Sequence, residues 1–218
     1  MSTGIPVRFL PMGETAWLVE TDDIDAVLAL DSALAPLARA GEGVWADVDD
    51  LVPAARTLLV VARPRTNLAD LATEIRSAAA RASRSVTRSE AAVIEVPVRY
   101  DGPDLEDVAA QTGLSVAEVV DAHTGTPWRV GFGGFAPGFA YLVGGDPRLE
   151  VSRRAEPRTR VPVGAVALAG TFSGIYPRES PGGWQLIGST EVVLWDSYRE
   201  PPALLIPGTT VRFTRARS

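Results

Sequence analysis

Cysteine and lysine are both missing from the 218 residues, and histidine occurs once, at His123. Without cysteine there can be no disulfide, thiolate nucleophile or thiolate metal site. Without lysine there can be no Schiff base, no anchored pyridoxal phosphate, no biotinyl side chain and no phosphate loop of the usual lysine-bearing kind. One imidazole does not make a His-built metal site, so no metal is expected. Basic residues, all arginine, are outnumbered by acidic ones, 21 to 27, for a net charge of −6. That balance argues against a nucleic-acid partner. Long apolar runs are also lacking. The longest uncharged stretches, 130–145 and 161–177, are broken by Gly and Pro and are too short to span a bilayer. The N-terminus shows no basic segment leading into an apolar one, so a cytoplasmic protein without a membrane partner is expected.

What is present is globular. Hydrophobic residues make up 46% and charged residues 22% of the chain, close to the average for folded domains. Residues 1 to about 82 alternate strand and helix signals. Ala16–Glu20 and Thr57–Ala62 are short apolar runs, and Val44, Ala46 and Val48 alternate at strand spacing. Ile24, Val27, Leu28, Leu34 and Leu37 recur at helical spacing up to Gly41, with Pro36 expected to kink or shorten the helix. Asn67 is placed to cap a second helix. The order suggests a small α/β domain over residues 1–90, of the α+β layered kind. The polar stretch 82–92 reads as a linker. Beyond it, Ile94–Tyr100 reads as a strand and Asp104–Gln111 as a short helix closed by Gly113. Ser115 and Glu118 form a capping box for another helix. From Pro127 to Phe213, short apolar segments separated by Gly and Pro turns indicate a mainly-β barrel or sandwich, giving a second domain over 91–218.

Three segments stand out chemically. Gly131–Ala136 fits the glycine pattern of dinucleotide sites, but Pro137 and Gly138 follow at once and no helix opens there, so that reading is set aside. Five arginines, Arg148, Arg153, Arg154, Arg158 and Arg160, crowd a loop-like stretch of an acidic chain. Guanidinium forks suit carboxylates or phosphates; the alternative is internal ion pairing with the acidic 101–121 region, and the sequence leaves both open. Ser180-Pro-Gly-Gly-Trp184 reads as a turn, either one whose glycines, Gly182 and Gly183, let backbone approach a ligand, or a tight barrel turn with Trp184 in the core. His123, near a helix C-terminus that favours its charged form, is the one group with an ordinary pKa near neutrality. It is either the sole candidate for His-based acid–base catalysis or, as a lone histidine more often is, a satisfied structural residue. Tyr176 and Tyr141 can offer hydroxyls to a cleft.

Four segments taken together, 134–149, 153–170, 173–190 and 200–213, go further. They carry G-F-x-P-G-F-x-Y-L, D-P-R-L, P-R-x-x-V-P and S-P-G-G-W signatures. With them the chain resembles the family that includes the B component of 5-oxoprolinase, the first component of allophanate hydrolase and the sporulation kinase A inhibitor. The resemblance implies a cyclophilin-like β-barrel after a small α/β domain. It also implies a hetero-oligomer with a homologous second polypeptide (the C component), in some cases with a third, acting on a cyclic amide or urea-derived C–N bond. ATP would be bound by or shared with those partners, and no biotin would be attached here. The expected activity is that of the B component of an ATP-dependent 5-oxoprolinase. A carboxyltransferase component of allophanate or urea metabolism and a non-enzymatic inhibitor of a histidine kinase are the alternatives. On that resemblance the expected catalytic groups are His123 and Tyr176. The expected substrate- or anion-binding groups are Arg148, Arg153, Arg154, Arg158, Phe135, Pro137, Gly138, Phe139, Ser180, Gly182, Gly183 and Trp184.

Overall fold

A computed structural model describes residues 4–83 and 93–216. The chain divides into two compact units, residues 1–90 and 91–218. Most of the stretch read as a linker lies outside the described residues. Among those described, no helix is long and apolar enough to cross a membrane.

The first unit is an antiparallel sheet of β1 (Arg8–Met12), β2 (Ala16–Glu20), β3 (Val48–Pro53) and β4 (Thr57–Ala62), in the order β1-β2-β4-β3. Helices α1 (Ile24–Ala40) and α2 (Leu68–Arg81) complete it. Leu58, Val60 and Ala62 alternate inward along β4 into the core that holds Leu30, Leu34, Leu71 and Ile75. Asp23 caps α1 by accepting the Ala26 N–H at 2.8 Å, and Gly41 ends it in the left-handed conformation. Two expectations need correction. Pro36 sits inside α1 without shortening it. Pro36 and Ser32 both lie exposed, so the Ser32 carbonyl left without its helical donor faces water, where the loss is small. Val44 and Ala46 belong to a 3₁₀ turn over Gly43–Asp47 that buries Trp45, and the strand begins only at Val48.

In the second unit β5 (Val93–Val98) is followed by α3 (Leu105–Thr112) and α4 (Val116–Gly125), then by strands only, apart from a single 3₁₀ turn at Pro147–Leu149. The main sheet has seven strands in the order β12-β9-β10-β7-β6-β13-β5. These are β6 (Trp128–Gly133), β7 (Ala140–Val143), β9 (Ala165–Ala169), β10 (Phe172–Ile175), β12 (Gln185–Ser189) and β13 (Thr210–Arg215), with β5. A bridge between Arg99 and Ser189 ties the two outer strands together, so the sheet nearly closes into a barrel. The outlying pair β8 (Arg158–Val161) and β11 (Ser180–Gly182) corrects the reading of 180–184 as a plain turn. β9 is buried along its whole length. Val166 and Leu168 enter the barrel core from one face; Ala165, Ala167 and Ala169 enter a second apolar cluster from the other. That second cluster, with Phe139, Tyr176 and Trp184, carries the candidate site.

Candidate functional site: an aromatic cavity beside an arginine cluster

The alanines of β9 leave room above them for large rings. Phe139 occupies the middle, 5.5 Å from both Tyr176 and Trp184 and 5.1 Å from Tyr141, ring centre to ring centre. Tyr141 extends the edge-to-face array to Phe172 at 5.6 Å and Trp184 at 5.5 Å. Such contacts fix ring orientation beyond what burial alone provides. Gly174 is needed beneath them, since a Cβ there would stand 2.9 Å from Phe139 and 3.0 Å from Trp184.

The loop from β6 to β7 places Phe135 at the edge of this array, 5.3 Å from Phe139 and 6.0 Å from Tyr176. Its φ is +66°, and the Ala136 N–H donates to the Gly134 carbonyl at 2.7 Å across it. This is a γ-turn of the rare, strained hand, and it leaves Phe135 57% exposed. Pro137 and Gly138 follow in the same loop, with Gly138 at φ +83° facing Trp195.

The Tyr176 hydroxyl lies beneath Gly182, where any Cβ would collide with it. Burial pushes its pKa up, against the Trp184 N–H and the charge of Arg153, which pull it down. Tyr176 is thus buried and protonated. Ser180 and Gly182 belong to β11, and the Gly183 carbonyl accepts the Arg154 N–H at 2.8 Å.

The five arginines separate into two groups. Asp104, 1% exposed, accepts from Arg154 at 2.7 Å, from Arg158 through two nitrogens at 2.7 and 2.8 Å, and from the Leu186 N–H at 2.7 Å. Burial pushes the Asp104 carboxyl up, but these hydrogen bonds and charges outweigh it and hold the group below the usual carboxylate range. Internal pairing with the 101–121 region therefore holds for Arg154 and Arg158. Arg148 is paired with Asp146 at 2.6 Å and Arg160 with Glu179 at 2.6 Å. Arg153 alone of the five has no acidic partner among the described residues. Two concavities meet at Arg153 and Ser152. One, of about 690 Å³, is walled by Tyr141, Phe172 and Trp184 and also holds Glu150. The other, of about 630 Å³, lies toward α3 and Gln185.

His123 is elsewhere. It is fully buried in the barrel core, stacked on Phe213 at 4.2 Å, with Nδ1 2.8 Å from the Tyr100 hydroxyl and Nε2 3.0 Å from Ser173 Oγ. Burial lowers its pKa to about 3, the opposite of the charged form expected at a helix terminus. Of the two readings of His123, catalytic or structural, this geometry favours the second: its ring has no open face for a substrate, and its hydrogen bonds join α4 to β10 and to Tyr100. Sequence reading also missed Asp104 and Gln185. Their partners lie 50 or more residues away for Asp104 and 33 away for Gln185, whose Nε2 donates to the Ser152 carbonyl at 3.0 Å. Among the described residues no cluster of three or more His, Asp or Glu is arranged to hold a metal.

A small α+β unit followed by a mainly-β barrel with an aromatic and arginine-lined cavity defines the class. The chain belongs to the family of carboxyltransferase domains, subdomains C and D, which it matches over residues 7–205. It is 50% identical over 127 residues to the B component of 5-oxoprolinase from Escherichia coli O157:H7, covering 57% of this chain and 58% of that protein. It is 45% identical over 126 residues to the B component of 5-oxoprolinase from Bacillus subtilis (strain 168), covering 56% and 52%. The matched stretch thus spans just over half the length of these curated relatives. Among solved structures, the protein TTHA0988 superposes with a TM-score of 0.74 at 36% identity, over 98% of this chain and 40% of that one. The conserved uncharacterized protein PH0987 from Pyrococcus horikoshii superposes with a TM-score of 0.56 at 34% identity, over 95% and 97%. The Kluyveromyces lactis urea amidolyase shares the fold, with a TM-score of 0.75 at 18% identity over 96% of this chain and 15% of that one.

Proposed function

We propose that this chain serves as the B component of an ATP-dependent 5-oxoprolinase, a complex that opens the lactam of 5-oxoproline to glutamate. The observation that supports the reading is the 45–50% identity to proteins named as that component of 5-oxoprolinase. A lactam carbonyl is a weak electrophile. Phosphorylation of its oxygen by ATP, releasing ADP, would activate the carbon; one water then adds there, the ring C–N bond opens to leave an acyl phosphate, and a second water releases phosphate to give the side-chain carboxylate of glutamate. The contribution assigned to this chain is binding and orientation in the aromatic cavity, with Tyr141, Phe172 and Trp184 as its walls and Phe139 and Tyr176 packed among the rings of the buried cluster. A chain without lysine is poorly equipped to hold the triphosphate alone. Nucleotide and the remaining catalytic groups are therefore assigned to a homologous second polypeptide and any third component.

The test is reconstitution. The purified chain is expected to release no glutamate from 5-oxoproline and ATP, and to support release once its partner polypeptides are added. Robust turnover by the chain alone, or none from the complete set, overturns the reading.

A further inference from the structure

Four of the five clustered arginines are held by carboxylates of the same chain, and the fifth stands at the edge of a cavity. In a protein with 27 acidic side chains, an arginine left unpaired in the midst of paired ones calls for a physical account. Its backbone position is firm. The Ser152 N–H donates to Gln111 Oε1 at 3.2 Å, the Ser152 carbonyl accepts from Gln185 Nε2, and the next residue, Arg154, is fixed to Gly183 and Asp104. Arg153 is thus an exposed cation on an anchored backbone, beside walls made by Tyr141, Phe172 and Trp184. Glu150 lines the same cavity, and among the described residues no ion pair joins it to Arg153. The lining of this cavity thus includes a guanidinium, a carboxylate and three aromatic side chains. Apolar walls with a few polar groups of fixed direction are the usual construction of a small-molecule site.

We propose that this cavity binds a small carboxylate on a compact apolar frame that also bears an N–H, with Arg153 taking the carboxylate and Glu150 accepting from the N–H. A fork meets a carboxylate through two parallel hydrogen bonds, and aromatic faces suit a small ring. The proposal deepens the 5-oxoprolinase reading, since a lactam acid carries both groups, but it stands on the cavity's own residues.

The test measures binding to the full chain, alone and in the reconstituted complex, by following the Trp184 indole N–H signal in NMR titrations. The probes are 5-oxoproline, 2-pyrrolidinone (no carboxylate) and cyclopentanecarboxylate (no N–H). Arg153→Met is expected to weaken both acids by about tenfold or more and to leave the neutral lactam unchanged. Arg153→Lys should restore little of it. Glu150→Gln should weaken 5-oxoproline and spare cyclopentanecarboxylate. Because Arg153 is exposed and unpaired, Arg153→Met and Arg153→Gln should both melt with the wild type. Acids that bind Arg153→Met as tightly as wild type, or that bind neither preparation, overturn the proposal. If acids bind through Arg153 but 5-oxoproline is not among them, the site stands and the 5-oxoprolinase reading falls. If the complex turns over 5-oxoproline with a KM unmoved by Arg153→Met, the reading stands and the site falls.

Discussion

His123 governs how the second unit responds to mild acid. Its pKa is lowered from 6.5 to about 3 in the folded protein. Below pH 6.5 the unfolded chain therefore binds a proton that the folded chain refuses. Stability is full above that value and falls toward pH 3, at up to about 1.4 kcal/mol per pH unit. As the only histidine, it dominates the response of the second unit between about pH 7 and 5, where carboxylates of ordinary pKa stay ionised; the carboxyl that burial pushes up, Asp31, lies in the first unit. His123→Asn should lower stability near pH 7 by about 1–3 kcal/mol through lost hydrogen bonds, yet flatten the slope of unfolding free energy against pH. Urea titrations at several pH values check this, and equal slopes for both proteins would refute it. Asp104 is held below the usual carboxylate range by its two arginines and the Leu186 N–H, so its own contribution is lost only at lower pH. Breaking that node should be costly, because removing one partner leaves charges uncompensated. Arg158→Met, which loses a two-point contact, should melt well below Arg154→Met, which loses one. Calorimetry of the two variants side by side decides this.

At the level of single elements, helix ends were the most legible feature. Asn67, Gly41 and Gly113 cap where a sequence reading places them, because caps are local hydrogen bonds between residues a few positions apart. The Ser115–Glu118 capping box is present with both reciprocal bonds. Ser115→Ala should cost about 1 kcal/mol, read as a shift in urea midpoint with an unchanged slope. What the sequence hid is long-range. β9 shows no alternation because both of its faces are covered, and nothing local says so. The 3₁₀ turn over Gly43–Asp47 mimics strand alternation, and what distinguishes it is Trp45 turned into the core of the first unit. The site follows the same division. The aromatics and arginines were visible as a crowded stretch, but the pairing that singles out Arg153 depends on Asp104, 50 and 54 residues earlier than Arg154 and Arg158.

At the scale of the molecule, each unit has its own apolar core, and the aromatic cavity with its arginines lies wholly in the second. The fragment 91–218 should therefore fold cooperatively alone; a fragment that stays unfolded by circular dichroism would show that the cores depend on each other. The second unit opens with β5, which pairs in parallel with β13, Val93 against Thr210 and Val98 against Arg215. During synthesis β5 leaves the ribosome roughly a hundred residues or more before its mate, a wait on the order of ten seconds at ordinary translation rates. Over that interval it is an unsatisfied strand edge, the kind of surface on which nascent chains pair with one another. Its sequence is suited to the wait. Glu95 and Pro97 both point outward in the finished fold; one brings charge, and the other removes the N–H that a neighbouring chain would need. Replacing Pro97 would spare the finished barrel while exposing polysome-bound chains to aggregation, so its cost would be paid in yield.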